Sequence, residues 1–419
     1  LSQQEKIDTL KGGFMNAIQP LKGFRDFLPA EAAKRKWLRD KLAGVFSSWG
    51  YAPLETPTLE PLEIFTGAIG EDEKLFFKFT DQGDREVALR YDQTVPSCRV
   101  IAANQNTLTF PFRRYQIQSA FRAEKPQRGR YREFTQADAD IFGIKSPDAD
   151  AEVIALSLEL YKEIGFTRPL VRINSRSLLT DLPYEAIVAI DKIKKVGEEG
   201  VIREMGAKGI AAGQAKEYLS FVKNLKPNEE LTFILSYLKE YGFPDDWYVF
   251  DPTIARSFSY SVGPIWEVEI PDAGYGMSVL GGERYDGLLQ KFAGRDIGGT
   301  GFAVGFDRTL EAAELMGLVP SIAANGDVLI TLFDTTSLPF ALKLARSLRG
   351  SGVSVEVFPG SAKLEKQLKY ADKKGIPYVI IAGPDEVSRG VVKLKNMATK
   401  DQQEMKITEL PAKFLPPLA

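Results

Sequence analysis

The segment from Phe121 to Gly143, FRAEKPQRGRYREFTQADADIFG, constrains the fold of this chain more than any other stretch. An apolar and aromatic run, Tyr115 to Phe121, leads into it, and Phe134, Gln136, Asp138 and Asp140 then alternate with other residues. A two-residue period places alternate side chains on one face of a strand. The spacing therefore predicts a long hairpin whose tip, Gln127 to Arg132, carries three arginines around Gly129. On this reading Arg122 and Glu124 stay on the outgoing strand and meet Phe134 and Gln136 on the returning one. One face would then combine an anion-binding guanidinium, a carboxylate, a stackable ring and two buried acids.

At 419 residues the chain is long enough for two or three domains, each with its own core. Its make-up, 44% hydrophobic and 26% charged, is that of a soluble globular protein. The formal net charge is −2, so any nucleic acid would have to be met by local basic patches. There is no histidine and a single cysteine, Cys98. That removes imidazole bases and ligands, intramolecular disulfides and cysteine-based zinc sites together. Chemistry must run on Arg, Asp, Glu, Tyr and backbone groups. The lone cysteine fits a reducing compartment, and the expected location is cytoplasmic. No run of about eighteen apolar residues offers a membrane span. The polar start, LSQQEKIDTLKGGF, lacks the apolar region of a signal peptide, and residues 1–20 are read as a leader without functional role.

Along the chain, Ala33, Trp37, Leu38, Leu42, Val45 and Phe46 recur at helical spacing, with Pro29 suited to the first turn and Gly50 to the stop. The proline-punctuated YAPLETPTLEPLEIF that follows is extended. Lys74 to Thr80 and Val87 to Arg90 read as strands around the turn DQGDRE, and a helix begins near Thr94 with Asp92 in capping position. Ser146 to Gly165 reads as a capped helix, and Pro183 to Phe243 as several short helices rich in Lys and Glu. Strands return from Tyr248. After a short linker, Ala323 to Gly326, strands and helices alternate from DVLITLF to VVKLKN, as in an α/β unit with a parallel or mixed sheet.

The FRxE strand, the GRYR loop and the FxQ strand together resemble motif 2 of the class II aminoacyl-tRNA synthetases, in the version found in histidyl-tRNA synthetases. The resemblance spans roughly Leu21 to the end. It implies an α+β fold: a catalytic domain over residues 21–322 built on an antiparallel sheet flanked by helices, a helical insertion over about 183–243, and a C-terminal α/β anticodon-binding domain over 327–419. The helix and strand ending in Pro57 resemble motif 1, the dimerisation element, which implies a homodimer. The implied reaction joins L-histidine to ATP as an adenylate and transfers it to tRNA(His), with ATP and Mg2+ as cofactors. No magnesium ligand can be assigned.

Such a reaction brings two anions together while charge builds on the phosphorus oxygens, so it depends on positioning and electrostatics and needs no histidine base. Arginine suits it, because its fork stays charged and binds phosphate bidentately. By resemblance, Arg122 grips the α-phosphate, Arg308 in GFDRTL the γ-phosphate, and Arg130 the distal phosphates; Arg256 in TIARSF stabilises the transition state. Glu124 would read the adenine amino group and Phe134 stack on its ring. Asp92 and Thr94 would hold the α-amino group of histidine. Gln136, Asp140, Tyr260, Ser261 and Tyr285 would line the rest of its pocket with Arg122 and Arg256, Asp140 accepting the ring N–H. Lys125, Gln127 and Arg128 could meet the acceptor end of tRNA, and Lys363, Lys366, Lys369, Lys373 and Lys374 the anticodon arm.

Two positions depart from the family pattern. The usual GLDYYTG reads SFSYSVG, so Ser261 replaces a tyrosine, and GGERYDG carries Glu283 where a glycine is usual. The rival reading is a non-catalytic regulatory paralogue of the kind that activates ATP phosphoribosyltransferase. Those paralogues usually lack the anticodon domain and the catalytic arginine, and this chain keeps both Arg256 and residues 327–419. Intact Arg122, Arg256 and Arg308 likewise argue against a pseudo-synthetase sensor of uncharged tRNA.

Overall fold

The computed structural model describes residues 19–66, 75–127, 129–256, 260–274, 276–294, 296–322, 326–360 and 362–414. Most of the expected leader, Lys74, Arg128 and most of the linker fall outside them. The chain divides into two compact units, residues 1–26 with 37–319 and residues 27–36 with 320–419.

Helix α1 (Pro29–Ser48) starts on its proline and buries Leu38, Leu42, Val45 and Phe46, spaced to share one face; Gly50 at φ 80° turns the chain away. The expected extended stretch forms only the short strands β1 (Ala52–Pro53) and β2 (Leu59–Pro61), because its prolines cannot donate to a continuous ladder. Strands β3 (Lys78–Thr80) and β4 (Glu86–Leu89) pair around a turn in which Asp81 accepts from the Gly83 and Arg85 amides. Helix α2 (Thr94–Asn104) precedes the two ten-residue strands β5 (Phe112–Phe121) and β6 (Glu133–Phe142). Helix α3 (Pro147–Ile164) is capped by Ser146 and closed by Gly165 at φ 112°.

Strand β7 (Leu170–Ser175) leads into a run of helices with no strand among them: α4 (Tyr184–Ile190), α5 (Ile193–Ala207), which is kinked at Gly197 where φ is 68°, α6 (Ala212–Asn224) and α7 (Glu229–Tyr241). Strands β8 (Tyr248–Phe250), β9 (Pro264–Glu269) and β10 (Leu280–Arg284), helix α8 (Asp286–Ala293), strand β11 (Gly299–Gly305) and helix α9 (Phe306–Leu315) complete this unit. Its main sheet has eight strands in the order β1-β5-β6-β11-β10-β9-β7-β8, antiparallel except where β1 meets β5 and β7 meets β8. Buried Arg284 on β10 donates to Asp150 of α3 at 2.7 Å, which fixes the helix to the sheet through one ion pair.

The second unit holds β12 (Val328–Ile330), α10 (Leu338–Gly350), β13 (Val355–Val357), α11 (Leu364–Lys374), β14 (Tyr378–Ile381), α12 (Pro384–Ser388), β15 (Val391–Asn396), β16 (Gln402–Lys406) and α13 (Leu410–Phe414). Its sheet runs β13-β12-β14-β15-β16, parallel over the first three strands and antiparallel at β15 and β16. Val328, Ile330, Leu344, Leu348, Ile380 and Leu394 form one side of its core. Among the described residues no helix is long and apolar enough to cross a membrane.

Candidate active site

Five adjacent strands of the large sheet carry rungs of residues on one face. One rung reads Arg114, Asp140, Gly301, Glu283, Ile265, and the next Gln116, Asp138, Ala303, Gly281, Glu267. The alternate residues Ala137, Ala139, Ile141, Phe302, Val304 and Trp266 are buried in the apolar core on the other side. A one-residue slip would send the acids into that core, so the alternation fixes the register.

Over the polar face opens a cavity of about 320 Å³. Arg122 reaches it from just past β5, Arg256 from the segment after β8, and Arg308 from the first turn of α9; Glu124, Arg130, Phe134 and Gln136 line it as well. The Arg122 guanidinium lies 4.3 Å from the centre of the Tyr91 ring and 5.0 Å from that of Phe134. Arg308 donates to the Ser278 carbonyl at 2.9 Å, and Arg130 faces Glu124 at 3.6 Å.

The hairpin differs from its expected register. Strand β5 ends at Phe121; Gln118 stands opposite Gln136, Ala120 opposite Phe134, and the Arg122 amide bonds to the Arg132 carbonyl. One residue later the Ala123 amide turns to the Leu75 carbonyl, so Glu124 leaves the ladder and does not face Gln136. Arg122 therefore reaches Phe134 diagonally.

Six of the expected residues, Asp92, Thr94, Asp140, Tyr260, Ser261 and Tyr285, do not line the cavity. Asp140 forms an ion pair with Arg114 at 2.6 Å and accepts from the Tyr285 hydroxyl, which leaves it a partner in a buried network, where an acceptor for a ligand N–H was expected. Burial, opposed by Arg114, raises its pKa. Asp92 accepts from the Val95 amide at 3.2 Å, as a residue capping α2 would, and burial lifts its carboxyl to about 6. Thr94 and Tyr260 are half-buried; Ser261 and Tyr285 are buried.

Asp138 is the second buried acid that the alternation predicts, whereas the contacts made by Arg25, Arg256 and the sheet glycines carry no local sequence signal. Neither carboxylate oxygen of Asp138 has a hydrogen-bond partner among the described residues, and burial pushes its pKa well above the usual carboxylate range. Asp307 binds Arg25 at 2.8 Å, whose guanidinium lies 3.2 Å over the Tyr131 ring. Gly281 leaves room at the cavity wall for Arg256 as it lies, since a Cβ there would stand 2.1 Å from its Nη1. Gly301 likewise leaves room for Asp140, whose Oδ1 would be 2.1 Å from an added Cβ. Arg256 pairs with Glu283 at 3.0 Å; burial alone would lower its pKa, and the Glu283 and Glu267 carboxylates more than offset that. Among the described residues no three acidic or cysteine side chains come together to hold a metal ion.

A family model described as histidyl-tRNA synthetase matches residues 23–208 and 200–309, and one for an anticodon binding domain matches residues 327–415. A histidine–tRNA ligase of Rhodopirellula baltica is 38% identical over 426 residues, covering 93% of this chain and 96% of its own. That of Cytophaga hutchinsonii is 34% identical, covering 94% and 98%. The crystal structure of histidyl-tRNA synthetase from Nostoc sp. PCC 7120 superposes with a TM-score of 0.82 at 27% identity, covering 94% of this chain and 98% of that one. A Bacillus halodurans structure described as an ATP phosphoribosyltransferase regulatory subunit/histidyl-tRNA synthetase shares the fold, with a TM-score of 0.71 at 24% identity and cover of 87% and 98%. Sequence likeness over nearly the whole length, and the cavity on its sheet of alternating acids and glycines, agree: this chain belongs to the histidyl-tRNA synthetase family.

Proposed function

We propose that this chain is a histidine–tRNA ligase, which activates L-histidine with ATP and transfers it to tRNA(His). The observation that carries the reading is the convergence of Arg122, Arg256 and Arg308 on one cavity beside Phe134 and Glu124. Three guanidiniums, one ring and one acceptor match a nucleoside triphosphate: cations for its phosphates, a face for its base, and an edge contact for its amino group.

In the first step a histidine carboxylate oxygen attacks the α-phosphorus, a P–O bond forms, and diphosphate departs with the electrons of the broken bond. Arg122 and Arg256 neutralise the α-phosphate and the approaching carboxylate, and Arg308 takes the terminal phosphate. A ribose hydroxyl at the tRNA end then attacks the acyl carbon, and AMP leaves. By the family resemblance Asp92 and Thr94 would hold the α-ammonium group, and Tyr260, Ser261 and Tyr285 would border the side-chain pocket; of this set only Gln136 lines the cavity itself. Asp140 acts there through Tyr285. Magnesium would arrive on the ATP phosphates and neutralise their charge, since the described residues offer no all-protein metal cage. Lys125, Gln127 and Arg128 would meet the acceptor end of the tRNA. A cytoplasmic homodimer, with domains over residues 21–322 and 327–419, completes the reading.

Amino-acid-dependent ATP–pyrophosphate exchange across the twenty amino acids tests it. Exchange with histidine alone is expected. Exchange with another amino acid would keep the reaction class and overturn the specificity, and silence with all twenty would favour the regulatory-paralogue reading.

A further inference from the structure

The two departures from the family pattern, Ser261 and Glu283, are 22 positions apart in sequence and in contact in the fold, where the Ser261 hydroxyl donates to Glu283 Oε2. The other carboxylate oxygen, Oε1, takes Nη2 of Arg256 at 3.0 Å. All three side chains are largely out of solvent: Ser261 is 5% exposed, and the Arg256 and Glu283 side chains are 18% and 8% exposed. Arg256 stands at φ 45°, a left-handed conformation that non-glycine residues rarely adopt and that persists where the surroundings hold it. Its Nη1 lies against Gly281 at the cavity wall, so one edge of the guanidinium is held by Glu283 while the residue borders the cavity.

From this geometry we infer that Glu283 and Ser261 are a coupled pair of positioning residues, replacing the family's usual glycine and tyrosine, that sets the orientation of Arg256 for the adenylation step. The inference rests on the ligase reading. Glu283 lies opposite Gly301 on the rung that also carries Asp140, and Gly281, two residues earlier on the same face, leaves the space in which the Arg256 guanidinium lies. Ser261, short enough to lie beneath the carboxylate, donates the bond that aims Oε1 at Arg256. A tyrosine at 261 would meet Glu283 at a buried position, and a glycine at 283 would remove the carboxylate paired with a largely buried guanidinium, leaving the Glu267 carboxylate nearby. Either single reversion breaks the arrangement, whereas the double reversion restores the family's own solution.

The test is steady-state pyrophosphate exchange with histidine for the parent, Glu283→Gln, Ser261→Ala, Ser261→Tyr, Glu283→Gly and the double variant Ser261→Tyr/Glu283→Gly, with melting curves to establish folding. Glu283→Gln, which keeps size and loses charge, should lower kcat at least about tenfold with KM for ATP within about twofold, as loss of a charge-assisted bond felt in the transition state predicts. Ser261→Ala should lower kcat at least about threefold, because it removes a hydroxyl donor to a charged carboxylate. The double variant should be at least about fivefold more active than the product of the two single effects allows. The proposal is overturned if folded Glu283→Gln keeps kcat within threefold, if its loss lies in KM alone, or if the two reversions are multiplicative. Should Glu283→Gln not fold, an unchanged kcat in Ser261→Ala would overturn it. A parent silent with histidine fails the ligase reading, and this inference with it; an active parent with indifferent variants fails the inference alone.

Discussion

Asp92 shows what a single buried acid costs the fold. It is buried, bonds one amide at the start of α2, and is raised from 3.8 to about 6 mainly by desolvation. Because the folded pKa lies above the unfolded one, the folded state binds more protons between pH 4 and 6, and stability falls as pH rises through that window. The ionised carboxylate costs the fold about 3 kcal/mol at pH 7 from this shift. Asp92→Asn keeps the amide contact and removes the charge. It is expected to raise the melting temperature at pH 7 and to flatten the stability change between pH 4 and 6, while weakening histidine binding at least about tenfold. Melting curves across pH and calorimetric titration with histidine check both halves. A variant that is stabilised but still binds histidine normally would remove Asp92 from the proposed ammonium site.

Different local signals made different elements legible: two-residue alternation for the hairpin strands, helical spacing for α1, a capped, Asp-rich start for α3, and a Lys- and Glu-rich composition without strand signals for the helices from Tyr184 to Tyr241. Strand β16 was not legible, since its residues Gln402–Lys406 are almost all exposed at a sheet edge and carry no apolar alternation. The arginines facing the cavity came from local motifs. The contacts that position them did not, because Arg256–Glu283, Ser261–Glu283 and Arg25–Asp307 join residues far apart in sequence, and no local period encodes such a meeting. The end of β5 is hidden from the local sequence on similar grounds, as the Leu75 carbonyl that draws Ala123 off the ladder comes from another segment. At this scale Asp150 is the clearest structural prediction. It joins α3 to β10 through the buried guanidinium of Arg284, whose remaining carboxylate contact, Asp286, is at 3.3 Å. Asp150→Ala should cost about 3–5 kcal/mol, because it strands a buried cation. Urea unfolding checks this, and a loss below 1 kcal/mol would show that Asp286 suffices.

In the molecule as a whole, the cavity belongs to one unit and the α11 lysines to the other, each unit with its own core. Chemistry on small substrates and recognition of the anticodon arm can therefore be damaged separately. On α11 and at its start, Lys369 pairs with Glu365 and half-buried Lys374 with Glu356, so these two cations are already engaged within the fold. Lys363, Lys366 and Lys373 are exposed, and they are the better candidates for phosphate contacts. Reversing all three to glutamate should raise KM for tRNA at least about tenfold near physiological salt, while histidine-dependent pyrophosphate exchange, which needs no tRNA, stays within about twofold of the parent. The salt dependence should change in step, since each lost phosphate contact lowers the slope of log affinity against log salt by about 0.7–0.9. A tRNA KM that does not move would identify this face as a solvated helix surface and shift anticodon recognition to another part of the unit. A parallel fall in exchange would show that the two units are energetically coupled, which their separate cores argue against.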